Sequence, residues 1–332
     1  MEYFSQHKKL QPNFKIIIPF KDFNNELERE LVIYSIEIIY KSEALFIINN
    51  FDSNVLSNLI WSQDIWNDCT GSEINSINQG IEKIKKYKNI GSYYPLVKSN
   101  FGALISEKVK NIPLKRIDFK HHHPFDFKFT AWTMLGNFLI VSQKTQKRFP
   151  FGWHEFNEDK FSPPNRAYLK LWELLAVYNI PLLRTDTVIE VGSSPGGWTW
   201  VLSQICKKVY SIDRAPLADK IAKIENIYHQ EKDAFKLKPQ DYADSTWFFS
   251  DIICTPEKIY ETIQFWLKHS QIKNFICTIK FKGDCDFELL KQFLAIENSK
   301  IIHLYHNKNE VTWIKTDRTK INTENILEKF MV

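Results

Sequence analysis

Thr187-Val-Ile-Glu-Val-Gly-Ser-Ser-Pro-Gly-Gly-Trp-Thr-Trp200 is the stretch whose reading decides the fold. An apolar, β-branched run carries one carboxylate, Glu190, and ends at Gly192. The chain then passes Ser193, Ser194 and Pro195 and turns through Gly196 and Gly197 into an amphipathic segment that starts near Trp198. That order is a strand, a glycine-rich turn and a helix N-terminus. Glycines let the backbone turn tightly and approach a ligand, and the first turn of a helix offers free N–H groups. In an α/β protein such a turn is a nucleotide-type pocket. The glycines read G-x-x-x-G-G with a proline inside, not the G-x-G-x-x-G of dinucleotide folds, which speaks against a nicotinamide-dependent oxidoreductase.

Outward from the turn the pattern alternates. Strands are expected at Thr187–Val191, Lys208–Asp213, Asn226–Gln230, Thr246–Asp251, Asn274–Phe281, Lys300–His306 and Glu310–Lys315, with helices at Trp198–Cys206, Pro216–Ile224, Pro256–His269 and Phe287–Ile296. Alternation of this kind means a mostly parallel sheet of seven strands covered on both faces. Asn307-Lys-Asn309 is too short for a crossover, so the last two strands form an antiparallel hairpin. Upstream, a helix is expected with Asn165 as its cap and an apolar stripe at Ala167, Leu171, Leu174 and Tyr178. Lys170 lies at the edge of that stripe, where a surface pair with Glu173 at i+3 is the plain structural reading.

Ligands of a parallel sheet sit outside the carboxyl ends of its strands. Asp213 ends the second strand, where a carboxylate can take two ribose hydroxyls, and Asp233 follows the third, suited to accept from an adenine amino group. Asp251 ends the fourth strand and Lys280 lies near the end of the fifth. Glu310 begins a strand running the other way, so it reaches the same edge. Singly, each aspartate is an ordinary cap or turn former and Lys280 an edge charge. Together they place acid, base and glycine turn on one rim.

These residues resemble a known family. Gly192 to Trp198 resembles motif I of S-adenosylmethionine (SAM) methyltransferases in the D-x-G-x-x-P-G-G form of the FtsJ-type ribose 2′-O-methyltransferases, with Glu190 where that family usually has Asp. Asn165-Arg-Ala-Tyr-Leu-Lys-Leu171 resembles the element that precedes motif I there. Lys170, Asp251 in Phe249-Ser-Asp-Ile252, Lys280 in Thr278-Ile-Lys-Phe281 and Glu310 in Asn309-Glu-Val-Thr312 match the family's K-D-K-E tetrad in order. Phe161-Ser-Pro-Pro-Asn165, Val209-Tyr-Ser-Ile-Asp-Arg-Ala-Pro-Leu217, Lys232-Asp-Ala-Phe-Lys236 and His303-Leu-Tyr-His-Asn-Lys-Asn-Glu-Val-Thr312 resemble the RlmM group of bacterial 23S rRNA cytidine 2′-O-methyltransferases.

The resemblance implies a Rossmann-like SAM methyltransferase domain over residues 160–332, preceded by a smaller α+β domain over 1–155. It implies methyl transfer to a ribose 2′-hydroxyl of RNA, 23S rRNA or its precursor foremost, with S-adenosylhomocysteine as the product. The same chemistry on tRNA or an mRNA cap, or a non-catalytic SAM- or RNA-binding module, are the alternatives. Lys170, Asp251, Lys280 and Glu310 would be catalytic, and Gly192, Ser194, Pro195, Gly196, Gly197, Trp198, Asp213, Asp233 and Asp251 would hold the cofactor. The related group carries an RNA-binding THUMP domain at its N-terminus, so residues 1–155 are expected to be a degenerate, THUMP-like version.

Read by itself, that N-terminal part suggests strands at Lys15–Phe20 and Ala44–Ile48 and a helix opening at Asn24–Glu30, capped by Asn24 or Asn25. Glu82-Lys-Ile-Lys-Lys-Tyr-Lys88 and Lys144-Thr-Gln-Lys-Arg148 are basic clusters that could meet phosphates, although a solvated helix face is the commoner origin of such a run. The formal net charge of +5 permits a polyanionic partner without requiring one. His121-His-His123 would need an irregular backbone to converge on one ion, and the five cysteines are odd in number and scattered without a C-x-x-C pair. No metal site or disulfide framework is therefore expected. No stretch reads as a leader or a membrane span, and a soluble cytoplasmic protein is the expectation.

Overall fold

The computed structural model describes residues 10–96, 100–118 and 128–318. The histidines at 121 to 123 lie outside the described residues. Two compact units emerge, one built from residues 10–117 and 128–155, the other from 118 and 156–318.

In the first unit the order is β1 (Phe14–Pro19), α1 (Asn24–Ile33), β2 (Ile38–Lys41), β3 (Phe46–Ile48), α2 (Ser53–Ser57), β4 (Ser62–Glu73), α3 (Ile77–Lys85), β5 (Ile90–Tyr93), α4 (Asn100–Ser106), β6 (Phe129–Leu135), β7 (Phe138–Ser142) and β8 (Lys144–Thr145). The sheet runs β2-β3-β1-β4-β7-β6-β5, with β8 on β4. Twelve residues long, β4 pairs with β1 along its first part and with β7 from Thr70 to Glu73, so one strand joins the two halves. Ile81, Ile84 and Ile105 of α3 and α4 pack on Trp132, Met134, Leu139 and Val141 of β6 and β7. Neither Asn24 nor Asn25 caps α1. Phe23 holds the cap position with no side-chain bond, and the Asn24 amide instead donates to the carbonyls of Ser42 and Glu43 (3.1 and 3.0 Å), two acceptors that the turn between β2 and β3 leaves free.

The second unit follows as α5 (Tyr168–Ala176), β9 (Thr187–Val191), α6 (Gly197–Ile205), β10 (Lys208–Asp213), α7 (Asp219–Ala222), β11 (Ile227–Glu231), β12 (Trp247–Ser250), α8 (Pro256–His269), β13 (Asn274–Lys280), α9 (Phe287–Leu294), β14 (Ser299–Ile302) and β15 (Glu310–Lys315). The seven strands run β11-β10-β9-β12-β13-β15-β14. β11, β10, β9, β12 and β13 pair in parallel, and β15 is antiparallel to both β13 and the edge strand β14. Strands covered on both faces are buried at every position, as β9 and β12 are, which is why they read as continuous apolar runs. With β10 on one side of β9 and β12 on the other, the strand order reverses beside β9, and a crevice opens at the carboxyl ends there.

Three elements differ from the sequence reading. α5 begins after Ala167, with the Asn165 carboxamide accepting from Ala167 N (3.0 Å) in a turn just ahead of the helix; α5 also stops before Tyr178. α7 is one turn long because residues 214–218 are drawn into the turn at the crevice: Ser194 Oγ donates to Pro216 O and Ala218 N to Pro195 O. β14 ends at Ile302, short of His306, because the N–H groups of Tyr305 and His306 find the Glu173 carboxylate instead of a strand partner (2.8 and 3.1 Å).

Candidate active site

The crevice floor is the turn after β9. Gly192 (φ +76°) and Gly196 (φ +110°) hold left-handed conformations that suit glycine, and a β-carbon on Gly192 would sit 2.5 Å from Ile252 Cα. A β-carbon on Gly197 would run into the Asn165 side chain. The Ser194–Pro195 peptide is cis. Asp213 fixes the turn from the next strand, its two oxygens accepting from Ser194 N and Ala215 N at 3.0 Å each. Trp198 is buried at the start of α6; its indole N–H donates to Ala167 O (3.0 Å) and its ring meets Phe249 edge-on, which ties α6 to the segment leading into α5.

Above this floor lies a cavity of about 400 Å³. Of the residues expected to hold a cofactor, Gly192, Ser194, Gly197, Trp198, Asp213, Asp233 and Asp251 line it, whereas Pro195 and Gly196 shape the turn from behind. Asp233 caps the short 3₁₀ turn at Ala234–Lys236 by accepting from Phe235 N (3.0 Å) and is clasped by Arg214 (2.7 Å). Those two contacts, the backbone amide first, hold its carboxyl below the usual range.

At one wall of the cavity the four rim residues meet. Lys170 Nζ donates to both oxygens of Asp251 (2.9 and 2.8 Å) and to Glu310 Oε1 (3.0 Å). Lys280 Nζ donates to the Asp251 carbonyl (2.5 Å) and lies 3.0 Å from Asp251 Oδ1. Lys280 and Glu310 are partners in the β13/β15 register, so strand pairing alone brings them side by side. The plain reading of Lys170, a surface pair with Glu173, does not hold. Lys170 is 7% exposed, and Glu173 is fully buried and bonded to the segment before β15.

Burial alone would lower the proton affinity of Lys170, but the Asp251 and Glu310 carboxylates outweigh it and hold the ammonium above the ordinary lysine range. Burial would likewise raise Asp251, yet the two lysine cations keep it below the usual carboxyl range. Lys170 and Asp251 thus hold each other in their charged forms. The network is anchored by a residue the sequence reading passed over: Thr278 Oγ1 donates to Asp251 Oδ1 (2.8 Å). The available signal was period-two spacing, since Thr278 and Lys280 lie on one face of β13.

A second omission is Glu190, which lines the cavity and is 1% exposed. Its carboxyl accepts from Thr199 Oγ1 (2.7 Å), and burial, aided by the nearby Asp251 and Asp213 charges, pushes its pKa up to about 8. An acid inside an otherwise apolar strand was the visible clue.

The segment from residue 163 to 264 matches the FtsJ-like methyltransferase family. The chain is thus similar to an FtsJ-like methyltransferase over part of its length. Three relatives share the name Ribosomal RNA large subunit methyltransferase M. That of Halorhodospira halophila is 30% identical over 157 residues, 45% of this chain and 46% of its own. Those of Vibrio vulnificus (33% over 168 residues) and Saccharophagus degradans (30% over 167) cover 45% of this chain and 46% and 47% of theirs. The chain spans about half the length of the curated relatives it matches.

The cavity has features that suit SAM. The absence of β-carbons at Gly192 and Gly197 lets the turn pack directly on Ile252 and Asn165, which keeps the floor of the cavity low. Acidic side chains at Glu190, Asp213, Asp233 and Asp251 surround a cavity that would receive a cation. Among the described residues no helix is long and apolar enough to cross a membrane.

Proposed function

We propose that this protein transfers a methyl group from SAM to a ribose 2′-hydroxyl of RNA, with 23S rRNA as the substrate and the cytoplasm as the place of action. The observation that carries the proposal is the Lys170–Asp251–Lys280–Glu310 network at the wall of the glycine-turn cavity. The names and extent of the relatives support the choice of RNA.

A ribose hydroxyl holds its proton far above neutral pH, so attack on carbon needs that proton removed or strongly polarised as the new bond forms. SAM supplies, when bound, an electrophilic methyl group on a positively charged sulfur. Lys280 Nζ is the group placed to take the hydroxyl proton. In its neutral form the amine has two N–H bonds, which the Asp251 carbonyl and carboxylate can accept, and one lone pair left for the cavity. Lys170 is the fixed cation of the network. Asp251 and Glu310 share its charge and hold it in place, so it orients Asp251 more than it perturbs Lys280. Glu310 anchors the wall from β15. The closed packing of Trp198, Phe249 and Ile252 on the turn keeps water from that side.

In this reading the first unit docks RNA. Thr70, Ser72, Lys83, Lys86 and Tyr87 line a cleft of about 140 Å³ on that unit, and both lysines belong to the basic run at the end of α3. Lys83 also donates to Glu73 O (3.2 Å), and Lys144 of the second cluster pairs with Asp68 (2.6 Å). Part of the positive charge is therefore used within the unit, and Lys86 is the exposed lysine of the cleft left for a phosphate.

Nucleoside mass spectrometry of rRNA and tRNA from a strain lacking this gene is the direct test. Loss of one 2′-O-methylnucleoside from 23S rRNA is expected, and loss from tRNA alone would overturn the substrate. In purified protein, Lys280→Ala should keep SAM affinity while transfer falls by about 10²- to 10⁴-fold, the usual contribution of a positioned base. Full transfer by that variant would remove Lys280 from the mechanism.

A further inference from the structure

Glu190 takes no part in the proton transfer just described, yet it is the most deeply buried acid of the cavity. On its strand it lies between Ser211 of β10 and Phe249 of β12, neither of which carries charge. The charged groups around it are acids. Asp213 faces it from β10 and Asp251 from the end of β12, the latter already shared between Lys170 of α5 and Lys280 of β13. From α6 come only neutral donors, the hydroxyl and the backbone N–H of Thr199. A carboxylate among carboxylates, without a cation of its own, is unfavourable until something positive enters the cavity.

That position bears on a difference between the two cofactor forms. SAM carries a sulfonium, an ammonium and a carboxylate, a net single positive charge, whereas S-adenosylhomocysteine has lost the sulfonium and is neutral overall. We infer that Glu190 is the residue by which the cavity distinguishes methyl donor from spent product: it releases a proton to solvent as SAM binds and takes one back once the positive sulfur is gone. The inference rests on the SAM reading of the cavity. It assigns Glu190 a specificity role that its place in a buried strand does not by itself imply.

The sign follows from linkage. Without ligand the acid form persists up to about pH 8, because burial and the two neighbouring carboxylates disfavour the charge. A bound cation lowers that proton affinity. Between the lowered value and about 8, SAM binding must expel a proton, so SAM binds more tightly as pH rises; above that range the affinity levels off. The neutral product lowers the proton affinity less, so the preference for donor over product grows with pH. Each unit of difference in the shift corresponds to a factor of about ten.

Calorimetric titration of SAM and of S-adenosylhomocysteine between pH 6.5 and 8.5, in buffers of different ionisation enthalpy, reads both the affinity ratio and the protons released. The wild-type protein should release more protons with SAM than with the product, and its preference for SAM should rise about tenfold across the range. In Glu190→Gln that excess release should vanish and the ratio should stay flat. The amino group of the cofactor itself titrates near this range, so the deciding quantity is the difference between wild type and variant at each pH. Thr199→Val removes the hydroxyl, the stronger of the two Thr199 donors that favour the carboxylate, and should move the rise to higher pH, an outcome that loss of fold cannot imitate. Binding of both ligands with the same pH profile in wild type and Glu190→Gln would overturn the inference and leave the SAM reading standing. Absence of binding by wild-type protein to either ligand would overturn both.

Discussion

Asp251 Oδ1 is the atom on which the wall of the cavity turns, lying within 3.0 Å of Lys170 Nζ, Lys280 Nζ and Thr278 Oγ1. Asp251→Asn keeps the shape and removes the charge that both ammonium groups share. Breaking a buried pair in this way leaves an uncompensated cation and typically costs ~3–5 kcal/mol. Denaturant unfolding should show a loss of that order together with loss of transfer, and a variant as stable as the wild type would mean that solvent screens the pair. Asp213→Ala tests the other half of the site. Losing an acceptor for ribose hydroxyls, together with the bond that fixes Ser194 N, should weaken SAM by roughly 10- to 100-fold, and an unchanged calorimetric dissociation constant would refute the role. Asp251, Lys280 and Glu310 were legible in the sequence because each stands at a strand end, where the fold class already places ligands, whereas Lys170 on α5 was singled out only by the resemblance. Thr278 and Thr199 were not legible, since a threonine in a strand or helix looks like any β-branched residue until its hydroxyl has a partner. The proton on Glu190 was hidden for a related reason: a shift of that kind is set by burial and neighbours, and sequence order reveals neither.

α5 does two jobs from one face. Lys170 reaches Asp251 and Glu310, and Glu173, one turn further on, accepts from the backbone N–H groups of Tyr305 and His306 and from His306 Nδ1 (2.8 Å). The helix thus holds both Glu310 and the connection that delivers it. This explains why β14 stops early: its expected continuation to His306 gives up strand pairing for a buried carboxylate. Alternation of apolar and polar residues marks strands well, so β9, β10 and β15 run over the residues expected from sequence. It cannot tell a strand from an extended loop whose donors are satisfied by a distant acid. Glu173→Ala should leave those two backbone donors unpaired at about 1–3 kcal/mol each. A fall in unfolding free energy of at least ~2 kcal/mol is expected, with transfer reduced more than SAM affinity because Glu310 loses its support. Equal unfolding midpoints for variant and wild type would show that water replaces the carboxylate.

Among the described residues, three buried acids have their proton affinity raised far enough to keep protons that an unfolded chain would release. Burial pushes Glu30 up to about 8 against two backbone amides that favour its charge, Asp64 up to about 7, and Glu190 up to about 8. Their unfolded values lie near 4. For each, the folded state binds more protons between its unfolded and folded values, so stability falls as pH rises through that interval, by up to about 1.4 kcal/mol per unit per group. The paired charges of the site act elsewhere on the scale. Asp251, held below the usual range, contributes stability that is present above the ordinary carboxyl value and lost in stronger acid. Lys170, held above the lysine range, contributes stability that is lost only in strong alkali. Burial holds His303 down to about 4, so below about 6.5 it opposes the acids by one group; the acids still outnumber it, and melting temperature should decline from pH 5 to 8, most steeply above 6.5. Differential scanning calorimetry at half-unit steps reads the decline. Glu30→Gln should make it shallower in the unit that contains residues 10–117, whatever the substitution costs in absolute stability, because the amide does not titrate. A melting temperature constant from pH 5 to 8 would mean that these carboxyls are ionised in the folded protein, Glu30 through the N–H groups of Ile60 and Trp61 and Glu190 through the Thr199 hydroxyl.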